Sequence, residues 1–314
     1  MNNQNNLPKV SICIVTYNQE NYIRQCLKSI VNQERNFIVE VIVSDDCSKD
    51  KTPNIISEFA EKYNFIKPIF HKINIGAFNN FVETHNLAKG EYVCHLDGDD
   101  VFLPQKLQKQ LDTMEKGGFS ISWHKVHFFS DNHDFYDGNT MNYGFLPNYR
   151  VTLSDAFALG SIGVHSSVMY KRSARKTFTA PFPPLDFFYS WEYLESGNGI
   201  VIPEVLGGYR LNANGSISNN KALEIANLTI KHYQFFLKKH LNLRSQFFIL
   251  SLTNFLISVK NKKYSSALKF LNISLKTWSF INPIFFIKHL HNRRKITFPP
   301  KVMVKKYDIS NLIT

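Results

Sequence analysis

The stretch EYVCHLDGDDVFLP, residues 91–104, decides how the first half of the chain is read. Tyr92, Val93, Cys94 and Leu96 form an apolar run of strand length, after which Asp97, Asp99 and Asp100 place three carboxylates within four residues. Like charges this close repel, and partly buried carboxylates are costly unless something compensates them. A cation or a donor-rich ligand is the compensation such a cluster calls for.

Outward from this turn the chain repeats one alternation. Residues 10–15 are an apolar run, and Ile23, Cys26, Leu27, Ile30 and Val31 follow at helical spacing. Residues 37–43 read as a second strand. Thr52 then reads as an N-cap with Pro53 at the first helical position, leading into a helix face of Ile55, Ile56, Phe59, Ala60 and Tyr63. Residues 66–70 are a third strand, 77–88 a helix and 91–96 the fourth strand. Pro104 opens a further helix with Leu107, Leu111 and Met114 on one face, closed by Gly117-Gly118. Strands alternating with helices predict an α/β fold with a mixed, mostly parallel sheet and helices on both faces. Ligands of such sheets bind beyond the carboxyl ends of the strands, where Asp45-Asp46 and Asp97-Gly98-Asp99 fall.

Past Phe119 the period changes. Phe119, Ile121 and Trp123 alternate with polar residues and predict one more strand, whereas 124–150, polar and aromatic with many turn residues, read as a long functional loop. Residues 167–170 are strand-like again. Beyond Asn214-Gly215-Ser216 the pattern is helical to about His291, enough for three helices.

The 314 residues allow one or two domains, and 44% hydrophobic with 20% charged residues gives a chain able to bury a core. The net charge of +12 is unevenly placed. Residues 216–314 hold 17 Lys/Arg against 2 Asp/Glu, a net of +15, and residues 1–215 hold 20 against 23, a net of −3. A near-neutral body, 1–216, is thus followed by a basic helical region, 217–314. Four scattered cysteines with no CxxC pair fit a reduced, cytoplasmic protein. The polar N-terminus predicts no secretory leader. The most apolar tail stretch, 247–259, is interrupted by Ser251, Thr253, Asn254 and Ser258 and is shorter than the ~20 residues of a spanning helix.

Four segments in order carry a resemblance: VSICIVTYNQENYIRQCLKSIVNQ (10–33), VEVIVSDDCSKDKT (39–52), NIG (74–76) and KGEYVCHLDGDD (89–100). Together they resemble the family 2 glycosyltransferases, inverting enzymes with the GT-A nucleotide-sugar fold, over about residues 8–216. The resemblance implies transfer of a hexosyl or N-acetylhexosaminyl group from a nucleotide diphospho-sugar. It makes Asp97-Gly98-Asp99 the DxD motif, with Asp99 holding Mn²⁺ or Mg²⁺ and Asp97 near the ribose. Chemically, a cation held by carboxylates neutralises the charge that develops on a departing diphosphate, and Gly98 leaves room for close approach to the ligand. Thr16 and Asp45 are implied at the nucleotide base with Asp46 beside them. Tyr17 and Asn18 join them, although Asn18 would equally serve as a turn residue. Where many members have an Ala-Arg-Asn run after NxG, this chain has Asn80-Phe81-Val82; His71 or Lys72 is a candidate replacement for the missing cation, although a pair of solvated charges at a strand end is the reading those residues favour.

An inverting transfer also needs a base for the acceptor hydroxyl. The resemblance implies Asp186, with Leu185 where Gly or Glu is usual; Glu192 is the competing carboxylate, and an N-cap on a helix over 187–195 is the structural alternative for Asp186. Tyr209-Arg210 matches a Tyr-Arg pair of the family, with Asn212 where a histidine commonly stands; Arg210 either binds a phosphate or fixes the catalytic loop by an ion pair. In the tail, phenylalanines and Trp278 interleave with lysines. That pattern fits either an interfacial region touching the inner-membrane surface or a packed helical subdomain with a basic face. No nucleic-acid motif accompanies the charge.

The resemblance therefore implies a peripheral enzyme on the cytoplasmic face, using UDP-sugar and a saccharide or lipid-linked acceptor in capsule, lipopolysaccharide or other surface-polysaccharide assembly. A nucleotidyltransferase would need a Gly-rich N-terminal loop with an Arg/Lys signature, which VTYNQENY lacks. A non-catalytic sugar-binding module would be expected to lack Asp99 or Asp186, and both are present.

Overall fold

The apolar runs of the first hundred residues pair as a parallel sheet. In this computed structural model, which describes residues 7–132, 134–176, 182–211, 222–296, 305–306 and 309, β1 (Val10–Thr16), β2 (Val39–Asp45), β3 (Ile66–Phe70) and β4 (Tyr92–Asp97) lie in the order β3-β2-β1-β4. Strands covered on both faces need apolar side chains at consecutive positions. Ile12, Ile14, Val41, Val43, Cys94 and Leu96 pack on one face against α1 (Ile23–Val31) and α4 (Lys106–Gly117), and Cys13, Ile42 and Val93 pack on the other, on the side of α3 (Ala77–Asn86). α2 (Thr52–Lys62) connects β2 to β3. Thr16 pairs with Asp45 and Val15 with Asp97, so three strands end level at one edge.

The sheet then changes direction. The short strand β5 (Val101–Phe102) is followed by β6 (Ile121–Phe129), β7 (Asp134–Tyr136), β8 (Arg150–Val151), α5 (Leu153–Leu159), β9 (Met169–Lys171), α6 (Asp186–Leu194) and β10 (Gly199–Arg210). β9 runs antiparallel between β4 and β6, and β10 runs parallel to β6 and antiparallel to β5 and β8. The expected mixed, mostly parallel α/β sheet is present. Residues 124–150 are not a loop, however. β6 continues to Phe129, and Met141, Tyr143 and Leu146 are core residues. Short elements separated by turn residues gave that stretch its loop-like composition. Thr52 is also not an N-cap: it is the first residue of α2, and its hydroxyl accepts the Gln19 N–H at 2.8 Å.

Four tail helices follow rather than three: α7 (Ala222–Lys239), α8 (Arg244–Lys260), α9 (Tyr264–Lys276) and α10 (Pro283–Lys295), before β11 (Lys305–Lys306) pairs with β7. The boundary placed at 216 lies outside the described residues, yet one hydrophobic core spans it. Phe157 of α5 meets Trp191 of α6 and Phe247 of α8, each at 4.6 Å between ring centres, and Trp191 meets Phe236 of α7 at 5.3 Å. Removing a buried phenylalanine ring typically costs about 3–5 kcal/mol. Phe236→Ala is therefore expected to lower the melting temperature of the whole chain in one cooperative transition. Calorimetry showing a separate tail transition, with the remainder unshifted, would contradict the shared core.

Candidate active site

Each carboxylate of the DGDD turn has a different fate. Asp100 is fully buried: its Oδ1 accepts the Arg210 N–H at 2.7 Å and its Oδ2 accepts the Ser166 hydroxyl at 2.6 Å. Burial first, then Asp99 and Asp97, push its carboxyl well above the usual range. It does not cap α4, whose N-cap is Gln105. Asp99 is half-buried, and burial followed by the Asp97 charge raises its carboxyl to about 6. Asp97 goes the other way. Burial alone would raise it, but His95, His165 and the Ser166 hydroxyl together hold it at about 2. Between them, Gly98 serves packing within the protein. A Cβ there would sit 2.9 Å from the Thr16 side chain, so the glycine lets the turn close over the end of β1.

Arg210 ends β10 and locks this turn. Its Nε donates to the Asp99 carbonyl (3.0 Å), Nη1 to Asp131 (2.6 Å) and Nη2 to Gln25 (2.7 Å), and the guanidinium lies 4.5 Å from the Tyr22 ring and 4.4 Å from Phe129. Of the two roles the sequence leaves open, loop fixation is the one these contacts display. Asn212 lies outside the described residues.

At the ends of β1 and β2 the loops hold each other. Asn18 adopts φ 51°; its N–H donates to Ser48 Oγ and its Oδ1 accepts the Lys49 N–H, both at 2.8 Å. This is turn chemistry. Asp45 is buried and accepts the Ser48 N–H at 3.0 Å and the Ser48 hydroxyl; burial raises its carboxyl. Asp46 spends both oxygens on the Ile75 and Gly76 N–H groups, at 2.7 and 2.9 Å, anchoring the NIG turn, where Gly76 takes φ 84°. Thr16 Oγ1 donates to Gln19 at 2.8 Å, while Tyr17 is exposed at the rim.

Behind Asp97 lies a feature absent from the sequence reading. Tyr170 Oη meets His85 Nδ1 at 2.9 Å, His85 Nε2 meets His95 Nδ1 at 3.0 Å, and His95 Nε2 meets Asp97 Oδ1 at 3.1 Å. An ionised Asp97 accepts only, which orients the chain: His95 donates to Asp97, His85 donates to His95, and Tyr170 donates to His85. Burial, then His95, keeps His85 far below its ordinary value, and His165 falls to about 4 for the same two reasons. Ligand atoms of His95, Asp97 and His165 lie within 4.8 Å of one another. Both His95 nitrogens are already bonded, and the His165 ring lies on the His95 ring at 3.8 Å and 32°. That is a stacked pair, not a converging ligand set. A signal existed: residues 95 and 97 share one strand face.

Asp186 is the first residue of α6, exposed, and its side chain caps nothing. It lines a small pocket with Phe81, His95, His165, Tyr189 and Tyr193. Tyr209 feels both groups of acids: burial raises its phenol most, then Asp100, Asp97, Asp186 and Asp99. Asp186 shares its pocket with His95, the residue that bonds Asp97 of the DGDD turn. Glu192, on the same helix, is buried and accepts the Lys176 N–H at 3.3 Å. A roomier concavity lined by Ser29, Gln33, Phe102 and Gln105 holds none of these carboxylates. At the position of the missing arginine, the Phe81 ring joins the histidine stack, and the cation that approaches is buried Arg175, 5.8 Å from Phe81 and 4.7 Å from Tyr189. His71 instead bonds Ser44 Oγ at 3.1 Å.

Residues 11–178 match the model of the glycosyl transferase family 2, more than half of the chain. The chain belongs to that family. An uncharacterised protein of Mycobacterium tuberculosis is 33% identical over 212 residues, covering 66% of this chain and 60% of the relative's own length. The abequosyltransferase RfbV of Salmonella typhimurium is 36% identical over 102 residues, 31% of this chain and 30% of that protein. Among solved structures, S. aureus TarS 1–349 in complex with UDP-GlcNAc superposes with a TM-score of 0.66 at 16% identity, covering 91% of this chain and 88% of that one. The mannosyltransferase PcManGT of Pyrobaculum calidifontis, in complex with GDP-Man and Mn²⁺, gives 0.60 at 16% identity, over 93% and 82%. These two likenesses establish the GT-A-like fold.

In this family 2 glycosyltransferase the helix carrying Asp186 is held from the tail. His232 of α7, fully buried, donates from Nδ1 to the Leu228 carbonyl, so its Nε2 is free to accept the Leu185 N–H at 3.0 Å. Phe182, Phe187 and Phe188 surround the ring at 4.8–5.3 Å. Burial depresses His232 to about 4, below its usual ~6.5. The unfolded chain therefore binds the proton more readily. The stability His232 contributes is complete above about pH 6.5 and lost as pH falls toward 4. His232→Phe removes the acceptor and is expected to lower turnover while nucleotide affinity holds, and His232→Gln, which can accept, to retain more of it. The melting temperature of His232→Phe should also fall less between pH 7 and 5 than that of the parent. Equal turnover in all three proteins would remove this support role.

Proposed function

We propose that the chain is an inverting glycosyltransferase moving a hexosyl or N-acetylhexosaminyl group from a nucleotide diphospho-sugar, UDP-linked, to a saccharide or lipid-linked acceptor in capsule, lipopolysaccharide or other surface-polysaccharide assembly. The observation that carries it is that Asp186 lines one pocket with His95, which bonds Asp97 at the carboxyl end of β4, level with the ends of β1 and β2. The nucleotide sugars held by TarS and the mannosyltransferase, and the abequosyl transfer named for RfbV, support the substrate class. The work is proposed to take place on the cytoplasmic face of a membrane.

Asp186 is the base in this reading. Exposed at a helix start, where it lines this pocket, it takes the acceptor hydroxyl proton as that oxygen bonds to the anomeric carbon from the side opposite the diphosphate. The anomeric C–O bond breaks, the nucleoside diphosphate departs with the electron pair, and the configuration inverts. Thr16, Tyr17 and Asp45 line the nucleoside end, and Asp97, aimed by His95, faces the ribose. Asn18 and Asp46 shape that end through the loops they tie, and Arg210 acts on the donor by holding the DGDD turn. The residues fit a divalent cation: Asp99 offers hard oxygen, and the burial and repulsion that raise its carboxyl are what a cation relieves. When bound, Mn²⁺ or Mg²⁺ would neutralise charge on the departing diphosphate.

Asp186→Asn is expected to keep donor affinity and lose about 10²–10⁴-fold in turnover, measured with a panel of labelled nucleotide sugars. If Asp186→Asn transfers normally while Glu192→Gln does not, the base is reassigned. Asp99→Ala is expected to abolish the Mn²⁺-dependent part of UDP binding in calorimetric titration; unchanged affinity would remove the cation assignment.

A further inference from the structure

Helix α9 is apolar on two faces. Ser266, Ala267, Phe270, Ile273 and Ser274 turn inward and are buried. On a second face Tyr264, Leu268, Leu271 and Leu275 recur at spacings of four, three and four, a single helical stripe, and Trp278 follows just past the helix end. Four of these five stand 62–67% exposed: Tyr264, Leu268, Leu275 and Trp278. The next residues along the chain continue the pattern, with Phe280 92%, Ile284 76%, Phe285 56% and Ile287 66% exposed. Trp278 is seated rather than loose, its ring 5.3 Å from that of Phe248. So much apolar surface in one stretch of a folded chain is unusual and marks a contact site.

The charge around the stripe selects the partner. Lys269 and Lys276 lie exposed along one flank of the α9 stripe, Lys260, Lys262 and Lys263 are exposed between α8 and α9, and Lys288 is exposed within α10. Residues 225–296 contain thirteen Lys/Arg and no Asp or Glu. A second copy meeting this face would set lysines against lysines, whereas an anionic lipid surface complements them. No helix among the described residues is long and apolar enough to cross a membrane, so the arrangement is one that lies on a bilayer.

We propose that α9 and the start of α10 form a docking surface for an anionic lipid bilayer, with Leu268, Leu275, Trp278, Phe280 and Phe285 entering the headgroup–acyl boundary and the lysines contacting lipid phosphates. This deepens the membrane-face reading of the acceptor and rests on it only for the acceptor's location; the surface itself stands on exposure and charge. The two apolar faces of α9 then divide the labour, one packing on α7 and α8 and the other facing lipid.

Co-sedimentation of the full chain with vesicles of phosphatidylglycerol and phosphatidylcholine, or of phosphatidylcholine alone, tests this without any sugar or nucleotide. The parent is expected to pellet with the anionic vesicles at low salt and to be released only in part by high salt, because screening weakens the lysine contacts and leaves apolar burial. Leu268→Ser/Leu275→Ser/Phe280→Ser, all at exposed positions, should lower vesicle partitioning at least tenfold while leaving the melting temperature and UDP affinity unchanged. Lys262→Gln/Lys263→Gln/Lys269→Gln should weaken binding to anionic vesicles and reduce its salt dependence. A parent protein that stays in the supernatant with both vesicle types overturns the proposal. So does a concentration-dependent dimer, seen by sedimentation velocity, that the serine variant loses while vesicle binding is unaffected. Either result leaves the sugar-transfer assays untouched, so a failed docking surface and a failed transferase reading are told apart.

Discussion

Three carboxylates within four residues make the turn after β4 an electrostatic liability, and much of the second half of the chain is arranged to contain it. Arg210 arrives from the end of a twelve-residue strand to donate its backbone N–H to Asp100 and its side chain to the Asp99 carbonyl. Ser166 bonds Asp100 and Asp97 from another turn. The result is a graded set: Asp100 is buried and satisfied, Asp97 is kept ionised beside His95, and Asp99 is left with a raised carboxyl and an open side. Repulsion that would simply destabilise an isolated turn is carried by Asp99 and by the buried Asp100, whose carboxyls are both raised.

The histidines reveal the opposite strategy. His85, His165 and His232 are held neutral by burial, and their nitrogens work as directional donors and acceptors. The chain from Tyr170 through His85 and His95 orients Asp97, and His232 secures the backbone ahead of Asp186. Both acids are thus positioned by imidazoles standing behind them. The tail participates directly, since His232 belongs to α7, and the Phe157–Trp191–Phe236–Phe247 cluster joins the same helices to the catalytic half. The basic region is therefore part of the support for the site, and its outer face is free for another task.

Much of the fold was legible because burial imposes period. Apolar runs of strand length alternating with 3.6-residue faces predicted β1 to β4 and their helices within two or three residues, and strand-end placement predicted where Thr16, Asp45 and Asp97 would gather. Composition misled in 124–150, where turn residues between short elements masked the last six residues of β6 and the buried Met141, Tyr143 and Leu146, and in the tail, where one aromatic-rich stretch held both core and surface residues.

What the sequence by itself determined is whatever depends on neighbours along the chain: the strand and helix periods, the acidic turn, the charge split between front and tail, and the motifs that mark the family. Only the tertiary structure decided partnership. Asp46 and Asn18 carry motif positions yet turn out to tie loops, and Arg210 proves committed to Asp131 and Gln25, which lie 79 and 185 residues away in sequence. His232 acquires its role only by meeting Leu185, 47 residues earlier. Local pattern encodes what each segment must bury, but the donor or acceptor that a polar side chain finds is fixed by which segments are packed together, and that is a property of the whole fold.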